Sequence, residues 1–362
     1  MSLFRTDIEN LEPYKLPGQA KYNLGDNENR LINWSFLLQE ALEAVTAGEL
    51  SFYGDNRYAE LIETYATYLG VQPQQLTVGV GSDFIIHMLI SGVLKVDEVF
   101  LTIDPDFFMY EVYNQLHGSR FKQYELPSDG ETLRLKADDI LAYANLVGAK
   151  MIMFSNPNNP SSVAFDEKEV EELIRNFDGL VVIDEAYIEF SDTTSFVNQI
   201  NQYKNLIVLR TLSKAFGLAG IRLGFAVADE QLIFELDRVI PPYSLPNLTA
   251  KIGTMALGYT DLVQEKILEI KSSRATFVEF LETMPNCRVL PSQTNFVTFS
   301  APWAQELHHY ALEKEWNFKY YPSGKLSNHI RMAIGRKEEM EMMKEMIRNI
   351  ATAELPNSRS SV

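Results

Sequence analysis

The chain has 362 residues, 46% of them hydrophobic and 22% charged, a composition typical of a globular protein with two domains or one large α/β domain and an appendage. Its net charge of −17 argues against nucleic acid or an anionic membrane as the main partner, because both require a basic surface. The single cysteine, Cys287, excludes an internal disulfide framework and a cysteine-rich metal site.

The N-terminal residues do not predict a signal peptide, and the sequence does not predict a membrane span. Residues 1–15 lack the apolar core of a signal peptide, and no uncharged apolar run approaches the ~18 residues of a membrane span. We therefore expect a protein of a reducing cytoplasm that does not enter membranes. Residues 357–362 are predicted to be disordered.

The first 70 residues predict an arm and two helices. Residues 1–30 form a turn-rich arm, and residues 34–47 read as an amphipathic helix that ends just before Gly48. Its apolar side would carry Leu37, Leu38, Ala41, Leu42 and Val45. A loop at 52–56 and a second helix at 58–69 follow.

Six short apolar runs then alternate with helical stretches. They cover residues 76–80, 99–103, 151–154, 180–183, 206–209 and 225–228, and a helix over 84–94 follows the first. Continuous apolar runs indicate strands buried on both faces, as in a mostly parallel sheet flanked by helices. In such a sheet the ligand lies beyond the carboxyl ends of the strands.

The last third of the chain predicts a smaller α+β unit. Helices are expected at 231–238, 249–257, 262–281, 304–313 and 337–353, and strands at 287–290, 295–299, 316–321 and 330–334. We therefore expect a large α/β domain over 48–255. The arm and small domain would comprise residues 1–47 and 256–362, with the arm packed back on the small domain.

Polar residues follow several of the predicted strands. Gly81, Ser82 and Asp83 open a helix directly after the first strand, an arrangement that suits an anion. The stretch 104–108 after the second strand supplies aromatic side chains, including Phe107. Such a turn or pair of aromatics is weak evidence by itself, because turns of this kind and packed aromatics are common.

The next three strand ends form a more specific combination. Asn159 lies in a proline-fixed loop, Asp184 ends the following strand with Tyr187 close behind, and Lys214 follows the next. A lysine amine can form a Schiff base with an aldehyde cofactor. The hydroxyl of Ser213 and the guanidinium of Arg222 are groups that would bind a phosphate on such a cofactor.

With these motifs assembled, the chain resembles the fold type I pyridoxal-phosphate aminotransferases, and within them the histidinol-phosphate aminotransferases. The resemblance runs from about residue 20 to about residue 350. The two long stretches around Asp184 and Lys214 are its most specific parts. The matching stretches are 27–29, 53–55, 79–83, 156–160, 182–190, 208–224, 291–296 and 330–335.

The resemblance implies a role for each matching residue. Lys214 would hold pyridoxal 5'-phosphate and move the substrate Cα proton, while Asp184 would pair with the protonated pyridine nitrogen. Tyr187 and Asn159 would bind the phenolic oxygen, and Phe107 would stack on the ring.

The phosphate would be held by Ser82, Asp83, Thr211, Ser213 and Arg222, with Gly81 in the turn and Tyr53 from a neighbouring subunit, which implies a homodimer. Arg331, with Asn27 and Lys319, would bind the substrate, and Arg331 would clamp its α-carboxylate.

Four departures from the family pattern concern the substrate more than the cofactor. Ser162 replaces a usual glycine, Phe52 a usual arginine before Tyr53, and Arg30 a usual proline. Lys319 stands where relatives use an arginine towards the substrate phosphate, and lysine lacks the two-pronged geometry. The chemistry is therefore better defined by the sequence than the substrate is.

The leading hypothesis is an aminotransferase that uses histidinol phosphate, in histidine biosynthesis, with 2-oxoglutarate as amino acceptor. The alternatives are an aromatic or broad-specificity amino acid aminotransferase, a threonine-phosphate decarboxylase, and, in a different class, a non-catalytic aminotransferase-like sensor. The sequence leaves the amino donor, the flux direction and assembly beyond a dimer open. We expect no metal, because the five histidines show no ligand spacing.

Overall fold

The computed structural model describes residues 3, 5–9, 20–129 and 131–352. The disorder predicted for residues 357–362 concerns residues that lie outside the described part of the chain. Of residues 1–15, in which no signal peptide is expected, only residues 3 and 5–9 are described. Within them, the helices are α1 (Thr6–Glu9), α2 (Ser35–Ala44), α3 (Ala47–Ser51), α4 (Ala59–Leu69), α5 (Gly81–Val93), α6 (Met109–His117), α7 (Ala137–Val147), α8 (Glu167–Asn176), α9 (Glu230–Leu236), α10 (Asn247–Ala256), α11 (Thr260–Glu282), α12 (Ala304–Glu313) and α13 (Lys337–Ala351).

The strands form three sheets. They are β1 (Tyr22–Asn23), β2 (Leu76–Val80), β3 (Val99–Asp104), β4 (Arg120–Glu125), β5 (Ala149–Ser155), β6 (Leu180–Asp184), β7 (Leu206–Thr211), β8 (Leu223–Ala228), β9 (Arg288–Val289), β10 (Phe296–Ser300), β11 (Trp316–Asn317), β12 (Lys319–Tyr321) and β13 (His329–Ala333). The sheets have the orders β2-β8-β7-β6-β5-β3-β4, β12-β13-β10-β9 and β1-β11.

The seven-stranded sheet confirms the predicted mostly parallel architecture. Strands β3 to β7 pair in parallel, while β8 runs antiparallel to both of its neighbours, β2 and β7. All six predicted runs are strands. Along β6, Val181 and Ile183 belong to one hydrophobic cluster and Val182 to another on the opposite face. The continuous apolar runs are therefore explained by burial on both faces.

The prediction of one amphipathic helix over 34–47 is wrong near its C-terminal end, where residues 45–46 interrupt it. Helix α2 ends at Ala44, and Thr46 begins the separate helix α3. The Thr46 side chain and backbone form a capping box with Glu49, which satisfies free N–H groups at the new helix start. Gly48 thus lies inside a helix, and Leu38 and Leu42 of the expected apolar side are exposed.

The four-stranded sheet differs from the prediction at one strand. The N-terminal arm packs against the C-terminal third of the chain, as expected. The single strand predicted over 316–321 is two: β11 pairs in parallel with β1 of the arm, and β12 joins the four-stranded sheet. The rings of Tyr22 and Trp316 stack with centroids 4.3 Å apart. Strand β4, whose sequence is polar and half-exposed, was not predicted.

Candidate active site

A cavity of about 500 Å³ lies where the carboxyl ends of β2, β3, β5, β6 and β7 meet, and β12 and β13 of the small sheet close its other side. All predicted site residues except Gly81 and Tyr53 line it: Asn27, Ser82, Asp83, Phe107, Asn159, Asp184, Tyr187, Thr211, Ser213, Lys214, Arg222, Lys319 and Arg331. Residues far apart in the chain meet here because parallel strands end at one edge.

Asp184 is a buried carboxylate whose neighbours are mostly neutral. It is 5% exposed and accepts hydrogen bonds from the Tyr110 hydroxyl (3.2 Å) and the Ala186 N–H (3.1 Å). Burial, and then the charge of Asp83, raise the pKa of Asp184 to about 6, and Lys214 opposes this rise. A buried carboxylate with this environment favours a cationic partner in the cavity.

Lys214 lies in the loop after β7, beside the phenol of Tyr187. Its Nζ donates a hydrogen bond to the Asp26 carbonyl (2.8 Å) and lies 5.7 Å from the centre of the Tyr187 ring. The Tyr187 hydroxyl in turn accepts a hydrogen bond from Asn27 Nδ2 (3.0 Å). The N-terminal arm therefore contacts both the amine and the phenol.

The arm also contacts Arg331, on strand β13. Arg331 Nη2 donates to the carbonyl of Gly25, and Nη1 donates to Asn159 Oδ1 (2.5 Å). Asn27 is held in turn, since its carbonyl accepts from Asn295 Nδ2 (3.0 Å). Arg331 Nε and Asn27 Oδ1 are buried without a hydrogen-bond partner in the part of the chain that the structure describes. The side of the cavity next to the four-stranded sheet therefore carries polar atoms without hydrogen-bond partners among the described residues.

One corner of the cavity is built for an anion. Helix α5 begins at Gly81 and directs its first N–H groups there, and Arg222 Nη2 lies 3.1 Å from Asp83 Oδ2. Gly81 has φ +80°, and a Cβ on it would lie 2.7 Å from Arg222 Nη2. A Cβ on Gly224 would lie 2.2 Å from the backbone N of Ser82. Gly81 favours glycine because of its left-handed φ, and Gly224 requires glycine because β8 lies against the backbone at the start of α5.

A buried ion-pair cluster lies behind the site. Arg210, which precedes Thr211 on β7, contacts Glu185 (3.4 Å) and Glu189 (2.6 Å), and all three side chains are nearly inaccessible. Glu185 also accepts hydrogen bonds from Ser195 Oγ (2.6 Å) and the Phe196 N–H (2.7 Å). The cluster ties the segment carrying Asp184 and Tyr187 to the strand that leads to Lys214.

Several functional neighbours were missed in the sequence. Tyr110, the hydrogen-bond donor to Asp184, lies three residues after Phe107, and their rings meet edge to face with centroids 5.6 Å apart. That spacing at a helix start was the available signal. Asp106, Ser155 and Tyr321 also line the cavity. Asp106 lies in the stretch 104–108 after β3, for which the sequence analysis considered only the aromatic side chains.

Tyr53 lies outside the cavity of its own chain. It is 83% exposed and its ring lies 4.8 Å from that of Tyr243. Its neighbour Phe52 is 76% exposed. Tyr53 is therefore not among the residues that line the cavity of its own chain.

The departures from the family pattern have structural consequences. Ser162 is fully buried with φ +69°, a backbone conformation that glycine adopts without strain. Arg30 forms an ion pair with Glu339 (3.1 Å) and does not line the cavity. Lys319 is the register neighbour of Arg331 across β12 and β13, so both cations face the same end of the cavity.

These residues fit the cofactor that the sequence resemblance implies. The anion corner at the start of α5 suits its phosphate, Lys214 suits its aldehyde, and Phe107 lies at the wall where a ring would stack. Asp184 is buried at the cavity wall and burial raises its pKa to about 6, so the positive charge of a protonated pyridine nitrogen would stabilise its carboxylate. Among the described residues no cluster of three or more His, Cys, Asp or Glu side chains could hold a metal ion.

None of the helices that the structure describes combines the length and apolar character needed to cross a membrane.

The chain is similar to known proteins over most of its length. The family model described as aminotransferase class I and II matches residues 19–347. The histidinol-phosphate aminotransferase of Clostridium kluyveri is 30% identical over 340 residues, which cover 94% of this chain and 96% of that protein. The enzyme of the same name from Pyrococcus furiosus is 34% identical, covering 94% of this chain and 96% of that protein.

A solved structure matches the fold. The histidinol-phosphate aminotransferase of Sinorhizobium meliloti, determined in complex with pyridoxal 5'-phosphate, superposes with a TM-score of 0.86. The alignment covers 97% of this chain and 99% of that chain at 22% sequence identity. At this identity the likeness establishes a shared fold.

Proposed function

The chain belongs to the class I and II aminotransferases, and we propose that it transfers the amino group of histidinol phosphate to 2-oxoglutarate. It is a pyridoxal 5'-phosphate enzyme, as this family is. The relatives named histidinol-phosphate aminotransferase, 30% to 34% identical over most of the chain, support the choice of amino donor. The observation that carries the proposal is one cavity that holds an amine, a buried carboxylate and two guanidinium groups.

Lys214 and Asp184 would carry the chemistry. When bound, the cofactor supplies an aldehyde that reacts with an amine and a ring that accepts electron density from the substrate carbon. Lys214 Nζ would hold the cofactor and later move the proton from the substrate Cα, for which it must leave the Asp26 carbonyl. Asp184 would hold a proton on the pyridine nitrogen through its negative charge.

Tyr187 and Asn159 would bind and orient the phenolic oxygen. The Tyr187 hydroxyl accepts from Asn27, so its own proton remains available for donation into the cavity. Phe107 would cover one face of the ring and exclude water from it. Because the arm contacts both Tyr187 and Lys214, residues 25–27 would help to close the cavity over the substrate.

The phosphate would lie at the start of α5. The N–H groups of Ser82 and Asp83, the hydroxyls of Thr211 and Ser213 and the guanidinium of Arg222 are the proposed ligands. Arg222 now pairs with Asp83, and at 44% side-chain exposure it can exchange this partner for a phosphate.

Tyr53 would complete the phosphate site from the neighbouring subunit, so we propose a homodimer. The support is the 83% exposure of Tyr53 together with exposed apolar side chains nearby in the sequence. Leu38, Leu42 and Phe52 are 52%, 60% and 76% exposed. Apolar side chains exposed in this number on helices α2 and α3 and the following loop are typical of an interface.

Arg331 would bind the acidic end of each substrate. Its fork matches the α-carboxylate of glutamate or 2-oxoglutarate, which would replace Gly25 as its partner. Histidinol phosphate carries a phosphate in place of that carboxylate, and the adjacent Lys319 adds a second positive charge for it. Asn27, with its unpaired Oδ1, would contact the substrate amine.

The remaining proposals concern organisation. We propose that residues 48–255 form the cofactor-binding domain and that residues 1–47 and 256–362 form the arm and small domain. The separate seven-stranded and four-stranded sheets support this division. A role in histidine biosynthesis supports a cytoplasmic location, with small molecules rather than nucleic acid or membranes as partners.

Steady-state assays with three amino compounds test the substrate. We expect turnover of histidinol phosphate with 2-oxoglutarate to exceed that of phenylalanine, and threonine phosphate to release no CO₂. Efficient use of phenylalanine without turnover of histidinol phosphate would replace the proposed donor. Cofactor binding without an amino-transfer half-reaction from glutamate would indicate a sensor instead of an enzyme.

A further inference from the structure

Asp106 is a cavity carboxylate that the proposed chemistry does not use. It lies in the turn after β3 and lines the cavity beside Phe107. Its Oδ1 accepts hydrogen bonds from the Phe107 N–H (2.7 Å) and from Ser155 Oγ (2.5 Å), and its Oδ2 accepts from the Ser155 N–H (3.1 Å). Three donors therefore converge on one side chain, two of them from Ser155 at the end of β5.

The Ser155 hydroxyl uses its full hydrogen-bonding capacity. Besides donating to Asp106, its oxygen accepts from the Asn159 N–H (2.9 Å) and from Asn158 Nδ2 (3.2 Å). A serine hydroxyl has one proton and two lone pairs, so its proton can only be directed at Asp106. Burial raises the pKa of Asp106 well above its ordinary value, and the bonds from Ser155 and Phe107 oppose this rise. The converging donors require an acceptor on both carboxylate oxygens.

These contacts lead to the substrate-binding side of the cavity. Asn159, whose backbone is held by Ser155, accepts a hydrogen bond from Arg331 Nη1 (2.5 Å). The other hydrogen bond from the Arg331 guanidinium goes to a carbonyl of the arm, that of Gly25. Asn159 is therefore the large-domain group that fixes the orientation of the Arg331 guanidinium.

We propose that Asp106 is a positioning residue that holds Arg331, through Ser155 and Asn159, in the orientation that grips the acidic end of the substrate. This proposal rests on the proposed substrate role of Arg331. It predicts that changes at Asp106 weaken binding of carboxylates more than they slow the proton transfer at Lys214.

The variant Asp106→Asn tests the proposal with an isosteric change. In either orientation of the amide, its NH₂ group would face a donor, because both carboxylate oxygens now accept hydrogen bonds. We expect the KM for 2-oxoglutarate to rise about tenfold, the effect of one buried unsatisfied hydrogen bond, with a smaller change in kcat. The dissociation constant of succinate, a dicarboxylate that cannot accept an amino group, should rise by a similar factor in calorimetry of the cofactor-bound enzyme.

Ser155→Ala should give the same increase, and it carries the prediction if Asp106→Asn does not fold. Once either residue is changed, changing the other should add little, because both act through one chain of hydrogen bonds. Asp104→Asn is the matched control: it lies two residues away, outside the cavity lining, and should leave both constants unchanged.

Arg331→Lys separates this proposal from the proposed function. If Arg331→Lys weakens succinate binding and Asp106→Asn does not, Asp106 does not position the clamp. If Arg331→Lys also has no effect, the proposed role of Arg331 is wrong and the inference falls with it. Additive effects of Asp106→Asn and Ser155→Ala would likewise overturn the chain of contacts.

Discussion

Replacing Asp184 by asparagine should stabilise the cofactor-free protein at neutral pH while impairing catalysis. Asp184 is buried at the end of β6, and its two hydrogen bonds come from Tyr110 and the Ala186 N–H. An asparagine can keep both hydrogen bonds. Its amide oxygen accepts from the Ala186 N–H, and its NH₂ group donates to the Tyr110 hydroxyl oxygen once that hydroxyl rotates about its C–O bond. The change therefore removes mainly the charge.

The magnitude follows from the raised pKa. Burial and the charge of Asp83 raise the pKa of Asp184 from its ordinary value of 3.8 to about 6. Because the folded protein binds this proton more tightly than the unfolded chain, the contribution of Asp184 to stability is greatest below pH 4 and declines as the pH rises to about 6. At about 1.4 kcal/mol for each pKa unit, the decline amounts to roughly 3 kcal/mol.

Urea unfolding of the cofactor-free wild type and of Asp184→Asn at pH 4 and pH 8 measures this difference. We expect nearly equal free energies of unfolding at pH 4 and a variant more stable by up to about 3 kcal/mol at pH 8. Comparing the two proteins isolates Asp184 from Glu185, whose pKa burial raises to about 7. An Asp184→Asn protein that is less stable than wild type at pH 8 would refute the reasoning, and added cofactor should stabilise the wild type more than the variant.

Three further predictions concern the loop, the substrate and the dimer. Ser162→Gly should raise the free energy of unfolding by about 1 kcal/mol, because glycine adopts the left-handed backbone at φ +69° without strain. The control Gly70→Ser, at φ +72° with open space around it, should lower the free energy of unfolding by a similar amount. A lower free energy of unfolding in Ser162→Gly would contradict this reasoning. Lys319→Arg should lower the KM for histidinol phosphate in steady-state assays, since a fork binds phosphate better than a point charge, and an unchanged or higher KM would exclude a phosphate contact. When the inactive Lys214→Ala protein exchanges subunits with Tyr53→Ala protein, activity should rise. Each mixed dimer then has one unaltered site, with Lys214 from one subunit and Tyr53 from the other. A mixture with no more activity than the sum of the two separate proteins would exclude a shared site.

The sequence predicted the sheet and most of the cavity because strand ends converge. Buried strands such as β6 are recognisable from continuous apolar runs, and the carboxyl ends of parallel strands meet at one edge. The approximate neighbourhood of Asn159, Asp184 and Lys214 therefore followed from topology alone. The roles implied for them came from the family resemblance.

Residues whose importance depends on tertiary contacts could not be predicted. Asp106 matters because of its contact with Ser155 on another strand, and that contact leaves no pattern in the local sequence. For Tyr110, which contacts Asp184, the only local signal was its spacing from Phe107 at a helix start. Helix α2 ends early because of a capping box at Thr46, a signal of four residues that a longer apolar periodicity concealed. Strand β4 escaped prediction because an edge strand with half-exposed polar side chains has no apolar run.

The central claim is that the amine of Lys214 holds the cofactor. Borohydride reduction of the cofactor-bound protein, followed by peptide mapping with mass spectrometry, tests it directly. We expect a single pyridoxyl group on Lys214 and none in Lys214→Ala protein treated identically. A pyridoxyl group on another lysine of the wild type, or none at all, would contradict the account.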